Sequence, residues 1–397
     1  MSRSVTNNIQ IPLPIRPVSA FHWDLRLLGL IVVLLTIGLV VLTSASLGIA
    51  QDDFGNPFAY VIRQLQALTV GIVALAFMLV VPSDTWFKFS PLLLLLALVL
   101  LAVVLIPDVG VVVNGSQRWV NLAGIRVQVS EPARLALIMY IAGYAVRQQE
   151  TLETRFLGLA KPFAVLCIAA ALLLAEPDMG AATVLMATAL VVLFCAGARI
   201  RDLMVFGVIA CSAFVVLIFD GSYRESRIFS FLNPWADPHG DGYQLTNSLM
   251  AIGRGEWFGV GLGNSVQKLF YLPEAHTDFV FAVYAEEFGL AGVAVMIMVL
   301  LLLVLRVLKT ARKAAALERW FAAYTVLGIG VWLGLQSFVN LGVNLGILPT
   351  KGLTLPLVSY GRSSMIIVLA ALGFVLRAHH ENVIAAAKPK VRKRRRK

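Results

Sequence analysis

Residues 27–46 read LLGLIVVLLTIGLVVLTSAS, a stretch without a single charge. A bilayer core takes about 20 apolar residues as a helix, and lipid offers no partner to a bare backbone N–H or C=O. The stretch therefore reads as a membrane span. It is longer than a signal-peptide core and more spans follow, so it reads as a retained first helix. Working outward, comparable blocks recur at 65–82, 89–106, 132–147, 162–176, 181–198, 203–219, 286–306, 320–340 and 363–378. The fold class this predicts is an all-α polytopic integral membrane protein of about ten transmembrane helices. Of the 397 residues, 59% are hydrophobic and 14% charged. A typical soluble domain carries roughly 25% charged residues, so a soluble fold is excluded.

Lys and Arg set the orientation. With both termini in the cytoplasm, as an even span count requires, the inner segments hold most of the 33 Lys and Arg. The chain then divides into a cytoplasmic segment, 1–26, a membrane domain, 27–378, and a basic cytoplasmic tail, 379–397. The net charge of +11 is concentrated in Lys388, Lys390 and 392–397. Beside a membrane such a run fits anionic lipid rather than nucleic acid. Cys167, Cys195 and Cys211 fall in apolar blocks without metal-ligand spacing and read as small core residues.

Two outer segments are long. One runs 107–131; the other, about 220–285, separates spans seven and eight. Neither shows clear helix or strand periodicity, and segments of this kind are usually functional. The second is rich in aromatics, including Tyr223, Trp235, Tyr243, Trp257 and Phe258, which suit a membrane interface. There is no internal repeat, which weighs against a transporter built from inverted halves.

Chemistry needs ionisable groups, and few stand at the right depth. Asp278, where the long segment re-enters the membrane, is partly desolvated there; that raises its pKa and makes it a better base. The competing role is a helix N-cap. Glu286 and Glu287 follow; neighbours in a helix point about 100° apart, so each needs its own partner, and structural pairing is the expected role. Arg224, Arg227, Arg254 and Lys268 share the long segment, Arg118 and Arg126 the earlier one, and Lys351 and Arg362 the last. Such a basic set can hold a pyrophosphate, although any one member is as well explained by headgroups or local ion pairs. Glu131 and Arg134 are spaced for an i,i+3 pair. Glu176 and Asp178 place two acids in a tight turn, read as structural. Gly259, Gly261 and Gly263 follow no strand and precede no Lys-Ser/Thr, which argues against a nucleotide loop. The five His residues lack metal spacing; His276 alone lies near other polar candidates, as a hydrogen-bond partner.

These residues fall in a recognisable order. NGSQRW (114–119), QVSE (128–131), FLNPW (231–235), GYQ (242–244), HTDF (276–279) with Glu286 and Glu287, KGLTLP (351–356) and SYG (359–361) resemble the outer-loop signatures of the SEDS proteins (shape, elongation, division and sporulation). The resemblance spans about residues 20–380. Trp235, GRGEWFG (253–259) and residues 351–354 lean toward the division branch. Val129 stands where the family usually has Pro, Arg134 where it has Lys and Arg362 where a second Gly is common. None of these departures removes a candidate catalytic group.

The resemblance implies a glycosyltransferase of the bacterial inner membrane that polymerises lipid II into glycan strands at the division septum. Undecaprenyl pyrophosphate would be the leaving group. Asp278 matches the family's essential Asp and becomes the candidate general base. Arg118, Trp119, Arg224, Arg254, Lys268, His276, Lys351 and Ser359 become candidates for substrate contact, and Glu131 with Arg134 looks like the family's structural pair. The charge developing on the pyrophosphate calls for fixed cations or a divalent metal, Mg or Mn. The implied partners are a class B penicillin-binding transpeptidase and other membrane proteins of the division complex. A lipid II flippase and a non-catalytic division scaffold are the competing expectations.

Overall fold

The computed structural model describes residues 21–113, 116–122, 125–219 and 230–387. Three helices lead: α1 (Leu25–Phe54), α2 (Ala59–Val80) and α3 (Ser83–Val103). Three strands follow: β1 (Gly110–Val113), β2 (Ser116–Leu122) and β3 (Ile125–Gln128). Then come α4 (Ser130–Arg147), the short α5 (Gln149–Thr154), α6 (Phe156–Ala175), α7 (Met179–Cys195) and α8 (Ile200–Phe219). The chain closes with the short α9 (Tyr243–Arg254), then α10 (Val280–Ala316), α11 (Trp320–Asn344) and α12 (Arg362–Ala387). Each expected span coincides with one long helix. Among the described residues, seven helices are long and apolar enough to cross a membrane, and α7 is a shorter apolar one.

The bundle is layered by what each helix can expose. α1 to α3 turn Val and Leu side chains outward, among them Val32, Val73, Leu95 and Leu96. In lipid that exposure carries no penalty. α4, α11 and α12 are the interior: Arg134, Trp332 and Phe374 are all fully buried there. The same reasoning corrects the cysteine reading. Cys167 and Cys195 are exposed, because a lipid-facing surface is as apolar as a core. The Cys211 side chain lies outside the described residues.

At one end of the bundle, ion pairs tie the helix ends together. Arg306 of α10 grips Asp24 through Nε and Nη2 at 2.7–3.1 Å, and Asp24 also accepts from Leu27 N, capping α1. Burial opposes ionisation of Asp24, but Arg306 and the cap outweigh it and hold the carboxyl below its ordinary range. Glu381 of α12 takes Arg319, Arg377 at 2.7 Å and the Ser83 hydroxyl at 2.6 Å.

The opposite end carries the site. Segment 107–131, expected to lack strand periodicity, is an antiparallel meander β1-β2-β3 with Trp119 opposite both Val111 and Gln128. β1 reads GVVV and β2 SQRWVNL, so neither strand alternates apolar with polar residues. The expected eighth span, 286–306, belongs to a longer helix broken at Gly289, where φ is 62° and ψ is −167°. Broken backbone at membrane depth must find partners. Residues 256–261 supply them: Leu290 N–H donates to Glu256 O (2.8 Å) and Ala291 N–H to Trp257 O (3.0 Å). In return Val260 N–H donates to Glu286 O (3.0 Å) and Gly261 N–H to Glu287 O (3.1 Å). A Cβ at Gly259 would lie 2.2 Å from Glu287 O. The Gly-rich stretch is therefore a lacing strip across the helix break.

Candidate active site

Asp278 sits two residues before α10, after a tight turn in which Thr277 and Phe279 N–H both donate to Glu274 O (3.1 and 3.2 Å). The cap residue of α10 is Phe279, without a side-chain cap bond. The N–H of Ala282 is shared between Phe279 O at 3.0 Å and Asn344 Oδ1 of α11 at 3.2 Å. The cap position thus falls on Phe279, one residue after Asp278. It is half-buried, and a Cβ on Gly352 would stand 3.1 Å from its Oδ2. That closeness brings residues 351–353 against the Asp278 carboxylate. Lys351 reaches across the same region to within 3.6 Å of Met179 Sδ on α7.

His276 packs beside Asp278's turn between Tyr60 and Tyr360, with ring centroids at 4.5 and 5.7 Å. Burial pushes its imidazole below the usual range, against the pull of Glu274 and Asp53, so the ring is neutral at pH 7. Its carbonyl accepts Tyr360 N–H at 3.0 Å. Ser359 is buried and internal: its Oγ accepts Leu355 N–H at 2.8 Å and its carbonyl accepts Gln64 Nε2 at 3.2 Å. The last outer loop is therefore pinned beside Asp278 from three sides.

Three of the candidate cations bond protein groups directly. Arg254 bonds Glu286 at 2.9 Å, and Lys268 bonds both Glu287 and Ser44 Oγ of α1 at 2.8 Å. Each Glu is buried and each has its own partner, because the two side chains leave the helix in different directions. Ser265 Oγ and Val266 N–H complete the shell of Glu286. Arg118 donates to Glu176 O (3.1 Å), Pro177 O (3.0 Å) and Ser116 Oγ (3.0 Å), clamping the sheet to the α6–α7 turn. Arg224 lies outside the described residues. Glu131 and Arg134 form their i,i+3 pair at 3.4 Å, and Arg134 also donates to Gln336 Oε1 at 2.8 Å.

Glu176 is a further buried acid, with neither carboxylate oxygen hydrogen-bonded among the described residues. Burial, then Asp178, push it up to about 8, against Arg118. An acid raised on folding takes up a proton on folding, so its stabilising share is complete below about pH 4.5 and is lost as pH rises through about 8. Glu176→Gln removes that dependence. The variant is expected to unfold with wild type at about pH 5 and at a higher temperature than wild type at about pH 9, read as thermal midpoints across the range.

Sequence reading singles out none of three amides on α11, Gln336, Asn340 and Asn344. Their i, i+4, i+8 spacing is the signal: one polar stripe on an otherwise apolar helix. Gln336 Nε2 donates to Thr354 O at 2.8 Å, and the two Asn side chains reach the Asp278 segment.

A multi-helix membrane body with a half-buried carboxylate and clamped outer loops on one face defines a membrane-embedded enzyme class acting at the bilayer surface. The model of the Cell cycle protein family, named for FtsW, RodA and SpoVE, matches residues 25–384, and the chain belongs to that family. The "Probable peptidoglycan glycosyltransferase FtsW" of Alkalilimnicola ehrlichii is 49% identical over 371 residues, covering 94% of this chain and 92% of that one. The protein of the same name from Legionella pneumophila is 47% identical, covering 92% and 93%. Among solved structures, a chain of a peptidoglycan synthase complex that coordinates polymerization and crosslinking is 31% identical, with a TM-score of 0.73 over 91% of this chain and 98% of that one. The rod shape determining protein RodA of Thermus thermophilus is 30% identical, with a TM-score of 0.67 over 91% and 97%.

Proposed function

We propose that this chain is a peptidoglycan glycosyltransferase of the bacterial inner membrane, polymerising lipid II into glycan strands for septal wall synthesis. The observation that carries the reading is the convergence of Asp278 with residues 351–353, a carboxylate and a lysine-bearing loop brought to one face of the bundle. The names of the relatives support the same chemistry. In this reading Asp278 accepts the proton of the acceptor sugar's 4-hydroxyl. The freed oxygen attacks the anomeric carbon of the donor, the C–O bond to phosphate breaks, and undecaprenyl pyrophosphate leaves. Lys351, beside Gly352 in the loop that meets Asp278, is the cation proposed to meet the charge that develops. Trp119, in β2 opposite Gln128, is kept as a candidate for substrate contact.

Among the described residues no three His, Cys, Asp or Glu side chains gather as a metal cage. A divalent cation, Mg or Mn, would supply charge neutralisation to the leaving pyrophosphate. The partner in this reading is a class B penicillin-binding transpeptidase, together with other membrane proteins of the division complex. Both termini would face the cytoplasm, with the sheet face outside.

The test is polymerisation of labelled lipid II by the purified protein in complex with its transpeptidase, read as glycan ladders on a gel. Ladders support the enzyme. Their absence from a well-assembled wild-type complex, with lipid II crossing reconstituted vesicles, would move the function to a flippase; absence of both would leave a scaffold.

A further inference from the structure

Asn340 and Asn344 lie one turn apart on α11, both at most 1% exposed. Their amides converge on a single atom. Asn340 Nδ2 donates to Asp278 O at 2.9 Å and Asn344 Nδ2 to the same oxygen at 3.0 Å. Asn340 Nδ2 also donates to Leu353 O at 2.6 Å, and Asn344 Oδ1 accepts Ala282 N–H at 3.2 Å. One face of one helix thus holds the Asp278 peptide, the loop residue following Gly352 and the first turn of α10. Ser248 Oγ donates to Asn344 O at 2.9 Å, which adds α9 to the same joint.

Polar amides inside a membrane helix carry a desolvation cost that apolar packing would avoid. Here they are spent on a residue outside regular structure. Two donors on one carbonyl fix the peptide plane of Asp278, and the peptide plane sets where its Cα–Cβ bond points. We propose that Asn340 and Asn344 are positioning residues for the glycosyl-transfer reaction: through the Asp278 and Leu353 carbonyls they hold the Asp278 carboxylate and the Lys351 loop in register. The inference rests on the proposed role of Asp278. Neither Asn touches substrate in this account. A displacement of about 1 Å at a catalytic group costs up to about a hundredfold in rate, so loss of the joint is read in turnover before it is read in binding.

The experiment compares Asn340→Leu and Asn344→Leu with wild type, Asp278→Asn and Ser337→Ala, all in complex with the transpeptidase. Ser337 lies on the same helix, and its hydroxyl bonds only back to Leu333 O, at 2.8 Å, among the described contacts. The readouts are kcat and KM for lipid II, the pH–rate profile, and the thermal midpoint and recovery of the complex. Expected for each Asn variant are a kcat lower by about ten- to a hundredfold, a KM within about twofold, and a displaced acid limb of the pH profile. Ser337→Ala is expected to behave as wild type. A folded Asn variant with wild-type kcat overturns the proposal. So does a fall in activity that merely follows loss of folded complex, since that is a structural role alone. Wild-type turnover in Asp278→Asn would instead sink the reading of Asp278 as base, and would do so whatever the Asn variants show.

Discussion

Asp278→Asn is expected to slow lipid II polymerisation by about a hundred- to ten-thousandfold, the range that loss of a positioned general base gives. Asn keeps the shape of Asp and loses its basicity. Assembly is expected to persist, because the Asp278 carbonyl takes Asn340 and Asn344, and both bonds are untouched by the substitution. Asn and Asp also have nearly the same volume, so the close approach to Gly352 is kept. The measurement is the initial rate of glycan-strand formation from labelled lipid II, beside co-purification with the transpeptidase. A variant that assembles normally and polymerises within tenfold of wild type would remove Asp278 as the base.

Gly289→Ala is expected to destabilise the protein by on the order of 3–5 kcal/mol, enough to deplete the folded form. Two penalties coincide. The backbone at φ 62° and ψ −167° lies in a region essentially closed to residues with a Cβ. The new Cβ would also sit 2.4 Å from Gly259 N, 2.6 Å from Phe258 N and 2.7 Å from Gly255 O. All three are backbone atoms of the lacing strip, so no flexible side chain can swing aside. Separating the strip would strand the N–H groups of Leu290 and Ala291 in a membrane, where water cannot replace their partners. Gly253→Ala is the control: it lies in α9 with nothing near its Cβ position, and is expected to be neutral or to stabilise by about 0.5–1 kcal/mol. Thermal midpoints in detergent, with the yield of monodisperse protein, decide between the two outcomes. Equal midpoints for Gly289→Ala and wild type would show that the helix break is not required.

The long helices of the described residues were legible in the order of residues because the bilayer imposes a length and a polarity that local composition alone must satisfy. The same holds for the Glu131–Arg134 pair and for the separate partners of Glu286 and Glu287, since helix geometry fixes which neighbours can share a face. Asp278 was legible as a carboxylate at a membrane boundary. How it is held was not, because its carbonyl is bound by Asn340 and Asn344, the latter 66 positions away. For Arg254 and Lys268 an ion pair was among the readings, but its partners were not named: they are Glu286 and Glu287, 32 and 19 positions on, with Ser44 joining Lys268 from another helix.

The small sheet and the break at Gly289 were hidden differently. Strands such as GVVV and SQRWVNL carry no alternation to detect, and a run of apolar residues reads as one helix whether or not its backbone is interrupted. Pattern reports what each segment can bury. Hydrogen-bond partners are a property of pairs, and in this protein the pairs that shape the site, Asn340 with Asp278, Gly352 with Asp278, Lys268 with Ser44, come together only when α1, α10, α11 and the last loop pack. Local composition therefore determined the membrane body and its long helices, while packing decided which polar groups remain to act at its surface.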